Sequence, residues 1–482
     1  MSDLGWPLQR AVALHAGATA VIDGERRVSY EELARRVSAL GNLAADRIGF
    51  LGANSLAHRE CWLGLPAAGK VLVDLNYRLA PEELAFLVRD AGIELLIADP
   101  ERRAVAETLG VELLEDYETV VAGPPVAPAR IDEDALAAIS YTGGTTGRPK
   151  GVMLSHRNLL ANALHNLVAT GHTADDRWLH VCPMFHVAGT SNVFACTWVG
   201  ATQVILPRFE AAAVLAAIER ERITHSVFVP TMLAMLLDAA EGADVSTLRH
   251  LQYAASPIAP ELQRRVLEWL PECDVVQFYG MTEAAPTVTQ LTAADHRERP
   301  ERLASMGAPV AGVQVEVRDV IDGVGELWVR GANVMLGYWN RPEATADALV
   351  DGWYRTGDLV RTDADGYLYM VDRAKDMIIT GAENVYSVEV EAVLTASWAV
   401  SEAAVFGVPD ERWGEAVHAV VVASPGTTAD ELIAHCRSRI AGFKIPRAID
   451  VRGEPLPKSG AGKLLKSTLR EPFWAGRERR VS

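Results

Sequence analysis

The sequence predicts an α/β fold in which a large amino-terminal domain of several subdomains, with mostly parallel sheets, precedes a small mobile α+β domain. The first observation is that helical and strand patterns alternate through the first third of the chain, which indicates buried parallel strands. The second is a change to short strands and two helices after about residue 373. The third is the length of 482 residues, which is enough for several domains. We therefore predict domains at residues 1–372 and 373–482.

The elements of the first domain follow from local signals along the chain. Ser29 and Glu32 form the pattern of a capping box before a helix, and a strand is predicted at residues 47–52. Pro81 is suited to the first turn of the next helix, which precedes a predicted strand at 93–98. A proline-rich loop at 123–130 leads to a strand at 135–141.

The second domain is predicted to contain helices at residues 388–394 and 430–440 and a strand at 417–423. The segment 437–482 holds 12 basic and 4 acidic residues, although the whole chain has a net charge of −17. This local excess suits an anionic ligand or a solvated surface, and charge alone does not choose between them.

Composition excludes several classes of protein. A net charge of −17 argues against nonspecific nucleic-acid binding, which needs a basic surface. The chain has no uninterrupted apolar run of transmembrane length and no signal-peptide pattern at its start, so we predict a cytoplasmic protein without a membrane span. The five cysteines are dispersed, without a CxxC pair, and are predicted to be buried thiols in a reducing compartment.

The segment YTGGTTGRPKG at residues 141–151 predicts a phosphate-binding loop. Its glycines let backbone N–H groups approach phosphate oxygens, its threonines add donors, and its lysine adds positive charge. A Walker loop is excluded because a glycine follows the lysine and because a strand pattern at 152–154 comes next, before a helix that Ser155 is predicted to cap. The predicted nucleotide contacts are Thr142, Gly143, Gly144, Thr145, Thr146, Gly147 and Lys150.

This segment resembles the phosphate-loop signature of the adenylate-forming superfamily of acyl-CoA synthetases, peptide-synthetase adenylation domains and luciferases. Four further motifs follow in the order of that family: YGMTE at 279–283, YRTGD at 354–358, DRAKD at 372–376 and PKSGAGK at 457–463. The resemblance implies an AMP-forming acid–thiol ligase of the acyl- or aryl-CoA synthetase branch. Its expected substrates and cofactors are a carboxylic acid, ATP, Mg²⁺ and coenzyme A.

The resemblance also implies roles for individual residues. Asp358 is expected to accept hydrogen bonds from the ribose hydroxyls, and Glu283 to hold Mg²⁺, a hard cation that prefers carboxylate and phosphate oxygens. Without the motifs, Asp358 would be interpreted as a turn cap and Glu283 as a surface acid. The other residues expected to contact ATP or AMP are Ser256, Tyr279, Gly280, Met281, Thr282, Arg373 and Lys463.

By resemblance, Lys463 is the catalytic lysine that bridges the substrate carboxylate and the phosphate, where two anions must meet. The thiol step then requires rotation of the small domain about a hinge at residues 373–376, at Lys375. The expected path for coenzyme A includes Gly381, Ala382 and Lys444. This chain departs from the commonest family pattern at Gly143, which replaces a serine, and at Ala382, which replaces a glycine.

The segment PMFHVAG at 183–189 resembles the motif that lines the acyl pocket, with His186 where the thiol gains access. The predicted acyl-pocket residues are His186, Val187, Ala255, Gly280 and Ala284. Amino-acid-activating relatives place an aspartate in this region, and residues 183–192 contain none, which argues against an amino acid substrate. Fatty, aryl and polycyclic acids remain open, because small and apolar residues suit any of them.

Two alternatives remain open beside the CoA ligase. One is an adenylating enzyme that transfers its acyl group to a separate carrier protein, because no carrier domain follows the last motif. The other is a non-catalytic nucleotide-binding homologue, against which the presence of Lys463, Glu283 and Asp358 together argues.

Overall fold

The computed structural model describes residues 3–142, 149–256, 258–374, 376–380, 383–410, 413–437, 439–458 and 464–475, without the Glu383 side chain. The chain divides into two compact units. Unit 1 comprises Met1–Val315 and Val329–Tyr354, and unit 2 comprises Glu316–Trp328 and Arg355–Ser482. The predicted domain boundary at residue 373 is the position of a rotation hinge. A division into compact units does not test a rotation, so this boundary stays a prediction.

The α-helices of the described residues are listed here in chain order: α1 (Trp6–His15), α2 (Tyr30–Ala39), α3 (Leu56–Ala67), α4 (Pro81–Ala91), α5 (Arg103–Ala106), α6 (Tyr117–Ala122), α7 (His156–Thr170), α8 (Val187–Thr190), α9 (Val193–Val199), α10 (Ala211–Glu221), α11 (Pro230–Ala239), α12 (Pro260–Trp269), α13 (Ala293–Glu298), α14 (Pro342–Ala348), α15 (Ser387–Thr395), α16 (Ala429–Arg437) and α17 (Lys466–Trp474). Short 3₁₀ helices lie at Leu40–Asn42, Thr282–Ala284, Pro300–Arg302 and Gly442–Lys444.

The strands, in the same order, are β1 (Thr19–Asp23), β2 (Arg26–Ser29), β3 (Arg47–Leu51), β4 (Val71–Leu75), β5 (Leu95–Ala98), β6 (Glu112–Leu113), β7 (Leu136–Thr142), β8 (Lys150–Ser155), β9 (Arg177–His180), β10 (Thr202–Ile205), β11 (His225–Phe228), β12 (His250–Tyr253), β13 (Asp274–Gly280), β14 (Thr287–Leu291), β15 (Ala308–Pro309), β16 (Val313–Ile321), β17 (Val324–Gly331), β18 (Gly337–Tyr338), β19 (Leu349–Val350), β20 (Trp353–Thr362), β21 (Leu368–Arg373), β22 (Ile378–Thr380), β23 (Glu383–Val385), β24 (Val400–Asp410), β25 (Gly414–Ala423) and β26 (Ala448–Arg452).

Unit 1 contains two large sheets. Among the described residues, the first has nine strands in the order β15-β14-β13-β12-β11-β9-β10-β1-β2, and its pairs from β13 to β1 are parallel. The second has the order β18-β8-β7-β4-β3-β5-β6, with parallel pairs from β7 to β6. The predicted α/β class with mostly parallel sheets is confirmed.

Local signals explain several element boundaries. The Ser29 hydroxyl accepts the Glu32 backbone N–H at 3.2 Å, which begins α2 as predicted. Helix α4 begins at Pro81, whose missing N–H costs nothing in a first turn. Ser155 caps α7 through a reciprocal pair of hydrogen bonds with Asn158. The predicted strands at 47–52, 93–98 and 135–141 correspond to β3, β5 and β7.

The core of unit 1 consists of apolar clusters between the sheets and their helices. The largest fully buried side chains include Trp62, Trp178 and Phe228. All five cysteines are buried free thiols, as predicted. Strands β3 and β4 are largely apolar, as is usual in a parallel sheet covered on both faces, whereas β9, β11 and β12 also carry buried polar residues.

Unit 2 contains a sheet of strands β23-β22-β25-β24, with β26 parallel to β25. Its core includes Ile378, Val405 and Val421 from the strands and Leu394 and Leu432 from the helices that cover them. The predicted helices correspond to α15 and α16, and the predicted strand at 417–423 lies within β25. Helix α16 ends at Arg437, three residues before its predicted end. In the part of the chain that the structure describes, no helix combines the length and hydropathy needed to cross a membrane.

Candidate active site

The carboxyl ends of the parallel strands in the nine-stranded sheet bring two predicted segments to one edge. Strands β12 and β13 are parallel neighbours, with Tyr253 paired to Gln277. The chain therefore leaves β12 at residues 254–256 and β13 at residues 279–283 on the same edge, where α/β sheets usually bind ligands. Ala255 has a φ of +76°, which is unusual for a residue with a side chain. The Ser256 side chain is exposed at this edge.

Gly280 ends β13 at a position where no side chain fits. A Cβ atom there would lie 1.7 Å from the Pro286 carbonyl oxygen. The Pro286 oxygen also accepts the Met281 backbone N–H at 3.1 Å, so this close approach turns the chain into the 3₁₀ helix Thr282–Ala284. Thr282 and Ala284 are buried there, while the Tyr279 side chain is partly exposed. The small size of Gly280 is thus required by packing.

The Glu283 carboxylate is held beside the predicted phosphate-loop lysine through Tyr338. The Tyr338 hydroxyl donates to Glu283 Oε1 at 3.0 Å, and the Lys150 ammonium lies 4.8 Å from the centre of the Tyr338 ring. The Met335 backbone N–H donates to the Glu283 carbonyl at 2.9 Å. Burial, and then the Glu283 carboxylate, raises the pKa of Tyr338, so its hydroxyl remains a donor.

Strands β7 and β8 present the two ends of the predicted phosphate loop next to each other. Thr142 pairs with Lys150 in their antiparallel register. Strand β18 pairs with the other side of β8, which places Tyr338 opposite Val152. The predicted contacts at residues 143–147 lie outside the described residues. The structure thus brings Thr142, Lys150 and Glu283 to one place within unit 1.

The segment that contains His186 is tied to two parts of unit 1. Its backbone is fixed by an Asn54 side chain that accepts the Met184 N–H at 2.8 Å and donates to the Cys182 carbonyl at 3.0 Å. His186 itself is half-buried before α8, and Val187 packs in the main core cluster. Gly189 has no room for a Cβ atom, which would lie 2.2 Å from the Pro183 carbonyl oxygen.

A buried histidine supports the same segment from beneath. The His180 Nδ1 lies 3.3 Å from the Gly189 carbonyl oxygen, and its Nε2 lies 2.9 Å from Gln203 Oε1. Burial, and then the Arg59 guanidinium, lowers the pKa of His180 to about 4. The neutral imidazole has one N–H, so it donates to one of these two oxygens while its ring packs between β10 and the segment around His186.

In unit 2, Asp358 and Arg373 are brought together by pairing of β20 with β21. They are register partners, and the Arg373 Nε lies 3.3 Å from Asp358 Oδ1. Asp358 is buried, and its backbone N–H donates to the Thr356 hydroxyl at 3.0 Å. Gly357 between them has a φ of +70°, which glycine adopts without strain. Thr356, Gly357 and Asp358 all lie within β20, so Asp358 is held in a strand and not, as its motif suggested, after a turn.

Lys463 lies outside the described residues, as do Lys375, Gly381 and Ala382. The base of the Lys463 loop is described, and there Lys458 and Leu464 form an antiparallel bridge. Lys444 forms a two-pronged ion pair with the Glu389 carboxylate at 2.7 and 2.8 Å. If Lys444 contacts a coenzyme A phosphate, as predicted, it must exchange this carboxylate for the phosphate.

Sequence reasoning missed Tyr338 and Asn333. The Asn333 amide donates to the Ala284 and Thr287 carbonyls at 2.7 and 3.0 Å and so fixes the turn after Glu283. Both residues lie about 50 positions from the residues that they contact, and no local spacing reports such a pairing. The one available signal was the Gly337-Tyr338 pair in a short apolar stretch.

Comparison with known proteins agrees with this geometry. The AMP-binding enzyme family matches residues 8–339, and its C-terminal domain matches residues 389–463. Feruloyl-CoA synthase from Amycolatopsis sp is 40% identical over 97% of this chain and 98% of its own. The fatty acid–[acyl-carrier-protein] ligase ScoC from Streptomyces coeruleorubidus is 36% identical over 96% of this chain and 95% of its own.

Among solved structures, the o-succinylbenzoate CoA synthetase of Bacillus subtilis in complex with its acyl-adenylate intermediate superimposes with a TM-score of 0.86. It is 31% identical and covers 97% of this chain and 98% of its own. With a family match over more than half of the chain and five ordered motifs, this chain belongs to the AMP-binding enzymes, in the acyl- and aryl-CoA ligase branch of the adenylate-forming superfamily.

Proposed function

We propose that this protein activates an aryl carboxylic acid as its acyl adenylate and then transfers the acyl group to coenzyme A. The observation that supports it best is the convergence in unit 1 of Lys150, which begins β8, Tyr338, which ends β18, and Glu283, which follows β13. A cation and an anchored carboxylate at that position are suited to a nucleotide triphosphate and its metal ion.

In the first half-reaction, a carboxylate oxygen of the acid attacks the α-phosphorus of ATP and pyrophosphate leaves. Two anions must approach each other, so positive charge at the reacting atoms lowers the barrier. We assign this role to Lys463, and we assign Lys150 and Thr142 to the outer phosphates. When bound, Mg²⁺ neutralises phosphate charge, and Glu283, held by Tyr338, has the hard oxygen donor that it requires.

We assign the ribose to Asp358, by the family motif that contains it. Its carboxylate is an acceptor with two oxygens, one of which lies 3.3 Å from the Arg373 guanidinium. That neighbour orients the carboxylate. A vicinal diol would then donate both of its hydrogens to a fixed anion.

In the second half-reaction, the thiolate sulfur of coenzyme A attacks the acyl carbonyl carbon and AMP leaves. The family route requires Lys463 to withdraw by rotation at Lys375, and residues 381–382 to take its place. His186 would lie where the thiol meets the acyl group. Its half-buried position, on a segment fixed by Asn54, supports this assignment.

The aryl class is supported by the 40% identity to feruloyl-CoA synthase over nearly the whole chain. It is tested by pyrophosphate release with ATP and Mg²⁺ across hydroxycinnamic, benzoic and straight-chain fatty acids. We expect the highest kcat/KM with a hydroxycinnamic acid such as ferulic acid. A preference for fatty acids would contradict the aryl class alone, whereas no release with any acid would contradict adenylation itself.

The acceptor requires a separate experiment, because the relative ScoC is an acyl-carrier-protein ligase. The enzyme, ATP and the best acid are incubated with coenzyme A or with a pantetheinylated carrier protein, and thioester is measured in each. We expect thioester on coenzyme A. Thioester on the carrier protein alone would establish the second candidate function, in which Lys444 keeps its ion pair with Glu389.

A further inference from the structure

A buried group of two histidines and an aspartate lies at the amino ends of strands in the nine-stranded sheet. His172 follows helix α7, Asp176 precedes β9, and His225 is the first residue of β11. All three are buried, and one nitrogen from each ring and one Asp176 oxygen lie within 4.8 Å of one another. Among the described residues, this is the one group of three or more histidine, cysteine, aspartate or glutamate residues with such spacing.

Two ring nitrogens converge on the same carboxylate oxygen. His172 Nδ1 lies 3.1 Å from Asp176 Oδ2, and His225 Nε2 lies 3.5 Å from that oxygen. In a tetrahedral zinc site with metal–ligand bonds of about 2.0–2.1 Å, neighbouring ligand atoms are about 3.3 Å apart. Both observed separations therefore match the edges of a zinc tetrahedron.

The outer nitrogen of His172 faces an acceptor. His172 Nε2 lies 3.2 Å from Asn192 Oδ1, while the Asn192 amide nitrogen donates to Ser191 Oγ and Gln252 Oε1, both at 3.1 Å. In the neutral tautomer with its proton on Nε2, His172 directs its Nδ1 lone pair at a carboxylate oxygen. Those two electron pairs repel each other unless a second ring proton or a metal cation lies between them.

His225 can adopt a tautomer in which the nitrogen facing Asp176 carries no proton, because its other nitrogen also lies beside an oxygen. His225 Nδ1 lies 2.7 Å from the Thr224 hydroxyl oxygen, which has the Arg177 carbonyl 3.4 Å away as its own acceptor. With its proton on Nδ1, His225 also directs a lone pair at Asp176. Metal-binding histidines commonly donate their other N–H to an oxygen in this way, which fixes the ring.

We propose that His172, Asp176 and His225 bind one Zn²⁺ ion, with a water molecule in the fourth position. Asp176 binds through Oδ2, and its Oδ1 accepts from the Thr173 hydroxyl at 3.1 Å and from Arg249 at 3.2 Å, which orients the carboxylate. A cavity of about 640 Å³ is lined by Thr224, which precedes His225, and by Arg249, which bonds Asp176.

A third buried imidazole, that of His250, lies beside the proposed site. His250 stacks on His225 with ring centres 5.4 Å apart, and its Nε2 is buried without a hydrogen-bond partner among the described residues. His225 and His250 begin their strands, whereas the nucleotide motifs follow the strand ends on the opposite edge. The ion would therefore stabilise unit 1 and take no part in the reaction with ATP.

A metal-free arrangement competes with this proposal. If the Asn192 and Gln252 carboxamides were both turned over, Asn192 would donate to His172 Nε2 and His172 could donate its Nδ1 hydrogen to Asp176. The Gln252 amide nitrogen, which is buried without a partner among the described residues, would then reach the Asn192 oxygen. The two arrangements differ in one measurable quantity, the zinc content of the folded protein.

The full-length chain is refolded from denaturant with ZnCl₂ or with EDTA, freed of loose metal by gel filtration, and its zinc measured by mass spectrometry. We expect about one zinc ion per chain, because metal binding to buried ligands is coupled to folding, and a higher melting temperature than with EDTA. His172→Gln and His225→Gln should both lose the zinc. His296→Gln, at a buried histidine that bonds Tyr253 Oη at 2.9 Å, should retain it.

Refolding with Co²⁺ gives a second measurement on the unsubstituted protein, which decides the question if a variant fails to fold. Tetrahedral Co²⁺ with nitrogen and oxygen ligands shows visible absorption bands that octahedral Co²⁺ nearly lacks. Those bands, removed by competing Zn²⁺, would support the site. Folded protein without zinc and without these bands would overturn the proposal and establish the metal-free network, as would zinc kept by both histidine variants.

Discussion

The two edges of the nine-stranded sheet contain polar groups of different kinds. At the carboxyl ends, Tyr279 and Ser256 are at least partly exposed, and the backbone is shaped by close approaches at Gly280 and an unusual φ at Ala255. At the amino ends, His172, Asp176 and His225 are buried and face each other. The carboxyl edge therefore exposes polar groups to a ligand from solution, whereas the polar groups at the amino edge are buried and contact one another.

This difference shows how one sheet supports chemistry and stability separately. Parallel strands carry their connecting segments outward at the carboxyl ends, where these segments can vary without disturbing the core. The amino ends must accept the chain returning from the helices, and polar groups there need internal partners. Substitutions at the two edges should therefore affect different measurements.

The largest expected effect concerns a residue outside the sheet. Lys463→Ala should reduce adenylate formation by roughly 10²–10³, the scale for loss of one preorganised charge contact. Conversion of a supplied acyl adenylate to thioester should persist, because that step does not need this charge. Single-turnover kinetics of each half-reaction measure both rates.

The matched comparison for Lys463→Ala is His172→Gln at the amino edge. We expect that variant, once folded, to keep both half-reactions within a few-fold of the unsubstituted enzyme. Equal impairment of both steps in both variants would contradict the separation of the two edges.

The second prediction concerns stability at the carboxyl edge. Gly280→Ala places a Cβ atom 1.7 Å from the Pro286 carbonyl oxygen, so backbone must move. We expect a loss of about 1–3 kcal/mol in the free energy of unfolding, as for other overpacked sites. Urea denaturation measures this loss, and Gly17→Ala is the control because nothing lies within 4 Å of a Cβ atom there. Equal stability of the two variants would show that residues 280–286 are not closely packed in solution.

The sequence predicted features that depend on neighbouring residues and missed contacts between distant ones. Local composition predicted a phosphate loop at 141–151, and capping residues predicted the starts of α2 and α7, because backbone preference and capping act within four residues. The requirement at Gly280 comes from an oxygen six residues away across a turn, and the link from Tyr338 to Glu283 spans 55 residues. Such contacts depend on the order of strands in the sheets, which no local pattern encodes.

The same reasoning applies to charge. From the sequence, Lys444 was expected on the path of coenzyme A, and in the structure its ammonium pairs with the Glu389 carboxylate. Asp358 and Arg373 were predicted separately as nucleotide contacts, and pairing of β20 with β21 makes them neighbours. A motif identifies which residues are charged, but the fold determines which charged groups contact each other.

The third prediction is that the free energy of unfolding depends on pH through His180, at the carboxyl end of β9. The pKa of His180 is lowered to about 4 by burial, while an unfolded histidine titrates near 6.5. Between these values the unfolded chain binds a proton that the folded chain excludes, so stability falls as the pH falls. From pH 7.5 to pH 5 this contributes about 2 kcal/mol of lost stability.

Urea denaturation of the unsubstituted protein and of His180→Gln at both pH values measures this contribution. The variant should be less stable at pH 7.5 but lose less stability on acidification. An identical loss in both proteins would show that His180 is protonated in the folded state, or that its pKa is not shifted.

The smallest expected effect tests the link between Tyr338 and Glu283. Tyr338→Phe removes a hydroxyl that donates to Glu283 Oε1 at 3.0 Å and preserves the ring beside Lys150. Loss of such a supporting hydrogen bond typically weakens a metal site by about tenfold or somewhat more. The Mg²⁺ concentration that gives half-maximal pyrophosphate release should rise by that factor, whereas an unchanged value would remove Tyr338 from the metal-holding role.

The glycines without room for a side chain have a consequence for saturation mutagenesis. At Gly189, Gly280 and Gly307, a Cβ atom would lie 2.2, 1.7 and 2.0 Å from a carbonyl oxygen. A library selected for growth or activity would be depleted of replacements at these three codons, as it would at a residue that contacts the reacting atoms. Intolerance near this site therefore does not by itself identify a participant in the reaction, and the half-reaction rates of surviving protein are needed to separate the two causes.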